Sequence, residues 1–195
     1  MTSQEPESPQ LESMTRVQVL LAIAVTAIVL LMVAQLWIKL AHVTLFPTRP
    51  TVQALLWGAA VALGITGASG LVYRLWPPYR QSADYYLGMV IAPLALPDIL
   101  WLGLLPGLSE ELLFRGVMLP EFGVNWEGIA ISSLCFGALH MSNRKQLPYV
   151  LWATIVGAML GSAAVVSGNL MVPIVAHVLT NLISGYLWKW QHRSP

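Results

Sequence analysis

Charged residues are scarce in this sequence. Asp, Glu, Lys and Arg together make up 10% of its 195 residues, whereas hydrophobic residues make up 56%. A soluble domain is about 25% charged, so this composition favours a protein that has the lipid bilayer as its solvent. The net charge is only +1 and no long basic run occurs, so we expect no nucleic-acid partner. Cysteine occurs once, at Cys135, which excludes an intramolecular disulfide and a cysteine metal cluster.

The N-terminus lacks the features of a cleavable signal peptide. Residues 1–14 are rich in Gln, Ser, Pro and Glu, and we expect them to form a disordered polar tail. The first apolar run then continues without charge from Arg16 to Lys39, longer than the apolar centre of a signal peptide. A helix needs about 20 apolar residues to cross the hydrocarbon core, so this run predicts a retained membrane span.

The same length argument predicts an all-α, polytopic transmembrane bundle of about seven helices, in which short helices can be re-entrant. We divide it into N-terminal membrane spans over residues 15–85 and a helical membrane domain over residues 86–195. Pro93, Pro97 and Pro106 predict helix breaks, and we expect Asp98 to cap the helix after Pro97. The short helix over residues 128–141 is expected to be enclosed by its neighbours. The predicted helices are Val17–Ile38, Val52–Tyr73, about Tyr86–Leu104, Pro106–Leu119, Gly128–Met141, Leu147–Val166 and Leu170–Trp188.

Ionisable residues inside membrane helices are costly, so each one is a functional hypothesis. Glu110, Glu111 and Arg115 lie together on one predicted helix. Glu111 precedes Arg115 by four residues, which places the two on one helix face and favours an ion pair. Glu110 is rotated by about 100° from that face and remains free to take up a proton. A buried structural ion network is the alternative interpretation of these three residues.

Two later helices add polar residues of a similar kind. His140 ends an apolar run that contains Phe136, while His177 and Asn181 stand four residues apart on the last helix and so share a face. A lone histidine in an apolar helix is more often a hydrogen-bonded core residue than a catalyst. Several such residues in one membrane domain instead indicate a shared site.

These three blocks resemble the CAAX protease and bacteriocin-processing family, also called the Abi family, of intramembrane endopeptidases. The family pattern reads Glu-Glu-x-x-x-Arg, then Phe-x-x-x-His, then His-x-x-x-Asn on successive helices. The resemblance runs from about residue 106 to the C-terminus, and the first two predicted spans match only as generic hydrophobic helices. The matching residues are Glu110, Glu111, Arg115, Phe136, His140, His177 and Asn181.

The resemblance implies a membrane-embedded peptidase, and residues 86–195 would then be its catalytic domain. Glu110 with His140 would activate the attacking water, while His177 and Asn181 would stabilise the oxyanion. Glu111 and Arg115 would orient the site without touching the substrate. No cofactor is implied. The partners are the bilayer and a peptide or protein substrate, and prenylated C-terminal tails are one class that the family processes.

Two alternatives stay open at this point. Glu110, His140 and His177 would also make three ligands for a catalytic zinc ion, although no His-Glu-x-x-His helix is present. The other alternative is a non-enzymatic membrane scaffold or partner-binding protein that keeps the polar cluster as a structural network.

Overall fold

The computed structural model describes residues 14–192, and these residues form helices and loops without a β-strand. The predicted all-α bundle of about seven helices is confirmed. The predicted disorder of residues 1–14 falls, apart from Met14, outside the described residues. The helices are α1 (Arg16–Ala41), α2 (Val52–Leu75), α3 (Pro77–Ile91), α4 (Ile99–Glu111), α5 (Trp126–Leu139), α6 (Leu147–Ser167) and α7 (Met171–Gln191).

Four of these helices are long and apolar enough to cross a membrane: α1, α2, α7, and α6 together with the turn that precedes it. After α3 comes a continuous helical rod, Leu96–Phe122, which contains α4. A fifth span results if α3 and this rod are counted as one. Large apolar side chains also point outward along the helices, for example Leu21, Ile28 and Met32, which are 57–64% exposed. Soluble proteins rarely expose apolar surface on this scale, so these side chains face lipid and the chain is a multi-pass membrane protein.

The helix boundaries predicted around the prolines are wrong. No helix spans residues 86–104, because α3 ends at Ile91 and the chain bends by 107° before the next rod. Pro93 and Pro97 both fall in this bend, where a missing backbone donor costs least. Pro106 does not start a helix but lies inside α4.

Asp98 stands at the start of α4 but does not cap it. Its carboxylate accepts hydrogen bonds from the Arg16 guanidinium at 2.6 and 2.8 Å and from the Ala95 amide at 2.7 Å. The side chain therefore ties the start of α1 to the bend between α3 and α4, where the sequence predicted only a local cap.

The expectation that α5 is enclosed is also wrong. Ser132 and Ser133 on its inner face are buried, but Leu134 is 61% exposed and Ile131 is 38% exposed on its outer face. α5 is short because the helix stops at a loop on each side. Its exposed outer side chains nevertheless face lipid.

Close helix packing places α7 at the centre of the bundle. A Cβ atom added to Gly107 of α4 would lie 2.5 Å from Val178, and one added to Gly58 of α2 would lie 2.6 Å from Val175. Small residues let membrane helices approach this closely. α7 is thereby held against both α2 and α4, and it carries His177 and Asn181 next to the carboxylates of α4.

Candidate active site

The two adjacent glutamates sit where the helical geometry changes. Glu110 and Glu111 are the last residues of α4, and the rod continues without a break as a π-helix over Leu112–Met118 before a final α-helical turn, Leu119–Phe122. Arg115 lies within the π-helical segment. Short π-helical segments are rare and frequently mark functional sites. The sequence pattern, read with the ordinary α-helical period, did not predict this segment.

Glu111 joins two of the motif blocks. Its Oε1 atom accepts hydrogen bonds from Arg115 Nη1 at 2.8 Å and from His177 Nδ1 at 2.8 Å. The Glu111–Arg115 ion pair expected from the four-residue spacing is therefore present, and both side chains are fully buried. The contact with His177 links α4 to α7, and the spacing within either helix gave no indication of it.

A backbone carbonyl completes the environment of Arg115. Arg115 Nη2 donates to the Gly157 carbonyl at 2.8 Å, and a Cβ atom at Gly157 would lie only 3.2 Å from the same nitrogen. The guanidinium carbon also lies 4.5 Å from the centre of the Phe136 ring, within the range of a cation–π interaction. A buried charge is tolerated only when it is paired and hydrogen-bonded. These contacts satisfy both Nη atoms of Arg115, whereas its buried Nε atom has no partner in the described part of the chain.

Glu110 has a different environment although it is the next residue. It is 6% exposed, and among residues 14–192 its Oε2 atom is buried without a hydrogen-bond partner and its carboxylate forms no ion pair. Glu110 thus has no bonded side-chain partner in this part of the chain, while Glu111 is held by two partners through Oε1 and leaves only Oε2 unpaired.

His140 follows directly after α5, and its ring is held in one orientation. Its Nδ1 atom lies 2.9 Å from the Phe136 carbonyl, and a carbonyl can only accept, so Nδ1 carries the proton and donates. In the neutral ring, Nε2 then has a free lone pair. The rings of Phe136, Tyr86 and Tyr149 lie 4.9, 6.1 and 6.2 Å from the imidazole and restrict its rotation.

The two histidines meet at one cavity. Phe136 packs between them, with its ring 5.6 Å from that of His177. His140, His177 and Asn181 all line a cavity of about 440 Å³, whereas Glu110 is not among the residues that line it. Sequence reasoning missed the other walls of this cavity, because α2 looked like scaffold. These walls include Thr66, Ser69, Tyr73, Tyr79, Tyr149, Trp152, Thr180 and Ser184.

The zinc alternative can be compared with this geometry. Within residues 14–192, no three His, Cys, Asp or Glu side chains cluster in a way that could hold a metal ion. Glu110, His140 and His177 are therefore not brought together as a metal-binding set in this structure. Side chains do rearrange around metals, so the alternative calls for a direct test.

Comparison with known proteins agrees with the motifs. Residues 92–183 match the Rce1-like family, described as type II CAAX prenyl endopeptidase Rce1-like. Uncharacterized protein YpbD of Bacillus subtilis (strain 168) is 26% identical over 136 residues, which are 70% of this chain and 69% of that protein. An uncharacterized 24.3 kDa protein of Escherichia coli is 31% identical over 127 residues, 58% of each chain. No solved structure gives a significant match.

The matched segment contains α4 and the bound pair of Glu111 and His177, and it ends within α7. It leaves α1 and α2 outside, although both helices pack against it. The resemblance drawn from the motifs is confirmed: the segment from residue 92 to residue 183, which carries every motif residue, matches the family described as type II CAAX prenyl endopeptidase Rce1-like.

Proposed function

We propose that this chain hydrolyses peptide bonds in membrane-associated substrates. The observation that carries the proposal is the different environment of the two adjacent carboxylates. Glu111 Oε1 is bound by Arg115 and His177, and only its Oε2 is left without a partner, whereas the Glu110 carboxylate takes part in no hydrogen bond within the described part of the chain. A purely structural ion network does not explain Glu110, because this buried carboxylate joins no ion pair and an unsatisfied buried polar group costs about 1–3 kcal/mol.

In this proposal Glu110 and His140 activate water together. Glu110 takes one proton from the water, the His140 Nε2 lone pair accepts the hydrogen bond from its other O–H, and the oxygen attacks the carbonyl carbon. The tetrahedral intermediate collapses when Glu110 gives the proton to the leaving amine nitrogen. The C–N bond then breaks and the Glu110 carboxylate is restored. General acid–base assistance of this kind contributes about 10²- to 10⁴-fold to a rate.

His177 and Asn181 would stabilise the negative oxygen of the intermediate. The contact with Glu111 engages His177 Nδ1, so Nε2 can donate to an oxyanion only from the doubly protonated ring. Asn181, one helical turn along α7, would supply an amide donor.

The decisive experiment compares the wild type with Glu110→Gln in detergent. Both proteins are offered a quenched-fluorescence peptide library that includes prenylated C-terminal peptides. Glu121→Gln, a change of an exposed glutamate outside the site, is the matched control. We expect folded Glu110→Gln to lose cleavage by at least 100-fold, while Glu121→Gln cleaves as the wild type does.

Three results would redirect the proposal. Equal cleavage by Glu110→Gln would remove Glu110 as the base. Loss of wild-type cleavage on addition of a chelator, with recovery on adding zinc, would favour the zinc-dependent version. Absence of cleavage of any peptide by the folded wild type would favour the scaffold alternative. A preference for prenylated over unmodified peptides would identify lipidated tails as the substrate class.

A further inference from the structure

Two threonines of the cavity have hydroxyl groups without a partner. Thr66 Oγ1 on α2 and Thr180 Oγ1 on α7 are both buried, and neither has a hydrogen-bond partner in the described part of the chain. Both residues line the cavity that also contains His140, His177 and Asn181. Buried polar groups are nearly always satisfied, so each exception calls for a physical explanation.

Several other helical hydroxyls of this protein are satisfied by a local bond. Hydroxyls in membrane helices ordinarily donate to the carbonyl four residues earlier in their own helix. Ser109 does so to Leu105 at 2.8 Å, and Thr154 does so to Val150 at 2.9 Å. Ser133 and Ser167 follow the same pattern at 2.6 Å. Thr66 and Thr180 have that option as well and do not use it.

The shape of the cavity follows from how α2 and α7 pack. Near the start of both helices they touch, because Gly58 leaves room for Val175. Farther along α2, a Cβ atom added to Gly70, which lines the cavity, would meet no atom within 4 Å. The cavity therefore lies between the later parts of the two helices. It extends toward their C-terminal ends, where Arg74 and Gln191 also line it.

Polar residues follow both walls of this cleft at helical spacing. Thr180, Asn181 and Ser184 lie three, four and seven residues after His177, so they share its face of α7. On the facing α2 wall, Ser69 lies three residues after Thr66 and accepts a hydrogen bond from Trp152 Nε1 at 3.0 Å. The cleft thus combines hydrogen-bonding groups with aromatic walls, as peptide- and ligand-binding sites do.

We infer that Thr66 and Thr180 are substrate-positioning residues that hydrogen-bond the backbone of an extended peptide segment in this cleft. The inference rests on the proposed function. In a site surrounded by hydrocarbon, the N–H and C=O groups of a non-helical segment need partners from the protein. A threonine hydroxyl can donate to a carbonyl and accept from an amide, so it serves either group. The substrate class is accordingly an unfolded segment with free backbone groups, rather than an intact helix.

The test measures binding separately from turnover. Thr66→Val and Thr180→Val remove the hydroxyl and keep the shape of the side chain, while Thr66→Ser and Thr180→Ser keep the hydroxyl. Thr26→Val, on the exposed face of α1 and away from the cavity, is the matched control. The probe is a labelled analogue, with a reduced scissile bond, of the library peptide that the wild type cleaves fastest. The readouts are its Kd and the KM and kcat of the cleavable parent.

We expect each valine variant to raise Kd and KM roughly 2- to 10-fold, as befits the loss of one hydrogen bond. Their kcat stays near that of the wild type, the serine variants bind normally, and Thr26→Val has no effect. N-methylation of the peptide amide that contacts Thr66 should weaken binding to the wild type and not to Thr66→Val, because the interaction is already absent there.

Unchanged Kd in both valine variants would overturn the inference, even if the wild type cleaves peptides. A fall in kcat with unchanged Kd would also overturn it and would assign the hydroxyls to reacting water. If the wild type cleaves no peptide, the proposed function fails by itself. The Kd comparison is then made with the library peptide that binds the wild type most tightly, and equal Kd values would again reject the inference.

Discussion

Glu111 is the residue whose loss would damage the site most, because two side chains depend on it. Replacing it with Gln keeps an oxygen that can accept a hydrogen bond but leaves the fully buried Arg115 without a countercharge. Breaking a buried pair in this way costs about 3–5 kcal/mol. We expect Glu111→Gln to lower the unfolding temperature in detergent markedly and to reduce cleavage, whereas Glu110→Gln reduces cleavage with little change in stability.

The exposed Glu127 provides the control for this comparison, since Glu127→Gln should unfold as the wild type does. An unchanged unfolding temperature for Glu111→Gln would contradict the central role assigned to the pair.

At this scale the sequence predicted the ion pair of Glu111 and Arg115, and it missed the contacts between helices. The four-residue spacing is a local property of one helix, so it was enough to pair Glu111 with Arg115. The bond from His177 to Glu111 crosses between α4 and α7 and depends on how those helices pack. The same holds for the cavity wall on α2, where Thr66 belongs to a run that reads only as a generic span.

At the scale of helices, the close packing of α4 against α7 brings the two glutamates to His177. A Cβ atom on Gly107 would lie 2.5 Å from Val178 Cγ2 and 3.1 Å from the Val178 backbone nitrogen. Gly107→Ala therefore has to push the two helices apart, and overpacking of this kind costs about 1–3 kcal/mol. We expect a lower unfolding temperature and weaker cleavage, both measured in detergent.

Gly64 supplies the matched control, because a Cβ atom there meets nothing within 4 Å. Gly64→Ala should leave cleavage intact and stabilise α2 by about 0.5–1 kcal/mol. Trimming the obstructing side chain with Val178→Ala should restore part of the activity of Gly107→Ala. Equal stability of the Gly107 and Gly64 variants would refute the packing argument.

Helices were predictable where a single property decides them, and unpredictable where several compete. Long uncharged runs determined α1 and α2, whose starts agree with the predicted ones to within one residue. Near the prolines two effects compete, because proline favours a helix end while packing against a neighbour favours a continuous helix. Pro106 is accommodated inside α4, which packs tightly on α7, while Pro93 and Pro97 together stop α3. The π-helical segment has no period that a single α-helical template would detect.

The whole molecule is larger than the family segment, and the additional helices take part in the core. Leu30 and Ala34 of α1 pack in one cluster with Phe114 and Phe136, next to Arg115 and His140. On α2, Ile65 packs with Ala176, the residue before His177. α1 and α2 therefore support the site from outside residues 92–183.

This dependence predicts the behaviour of a split chain. Residues 92–195 expressed alone in membranes should show no cleavage above background, because they lack the helices that pack against Phe136 and His177. Membrane helices can insert separately and then associate, so residues 1–91 co-expressed as a second chain should restore activity in part. Restoration should weaken with Asp98→Ala in the fragment of residues 92–195, since the Asp98 carboxylate binds Arg16 of the fragment of residues 1–91 at 2.6 Å. Cleavage by residues 92–195 alone, at the level of the intact chain, would show that the family segment is sufficient and that α1 and α2 do not shape its site.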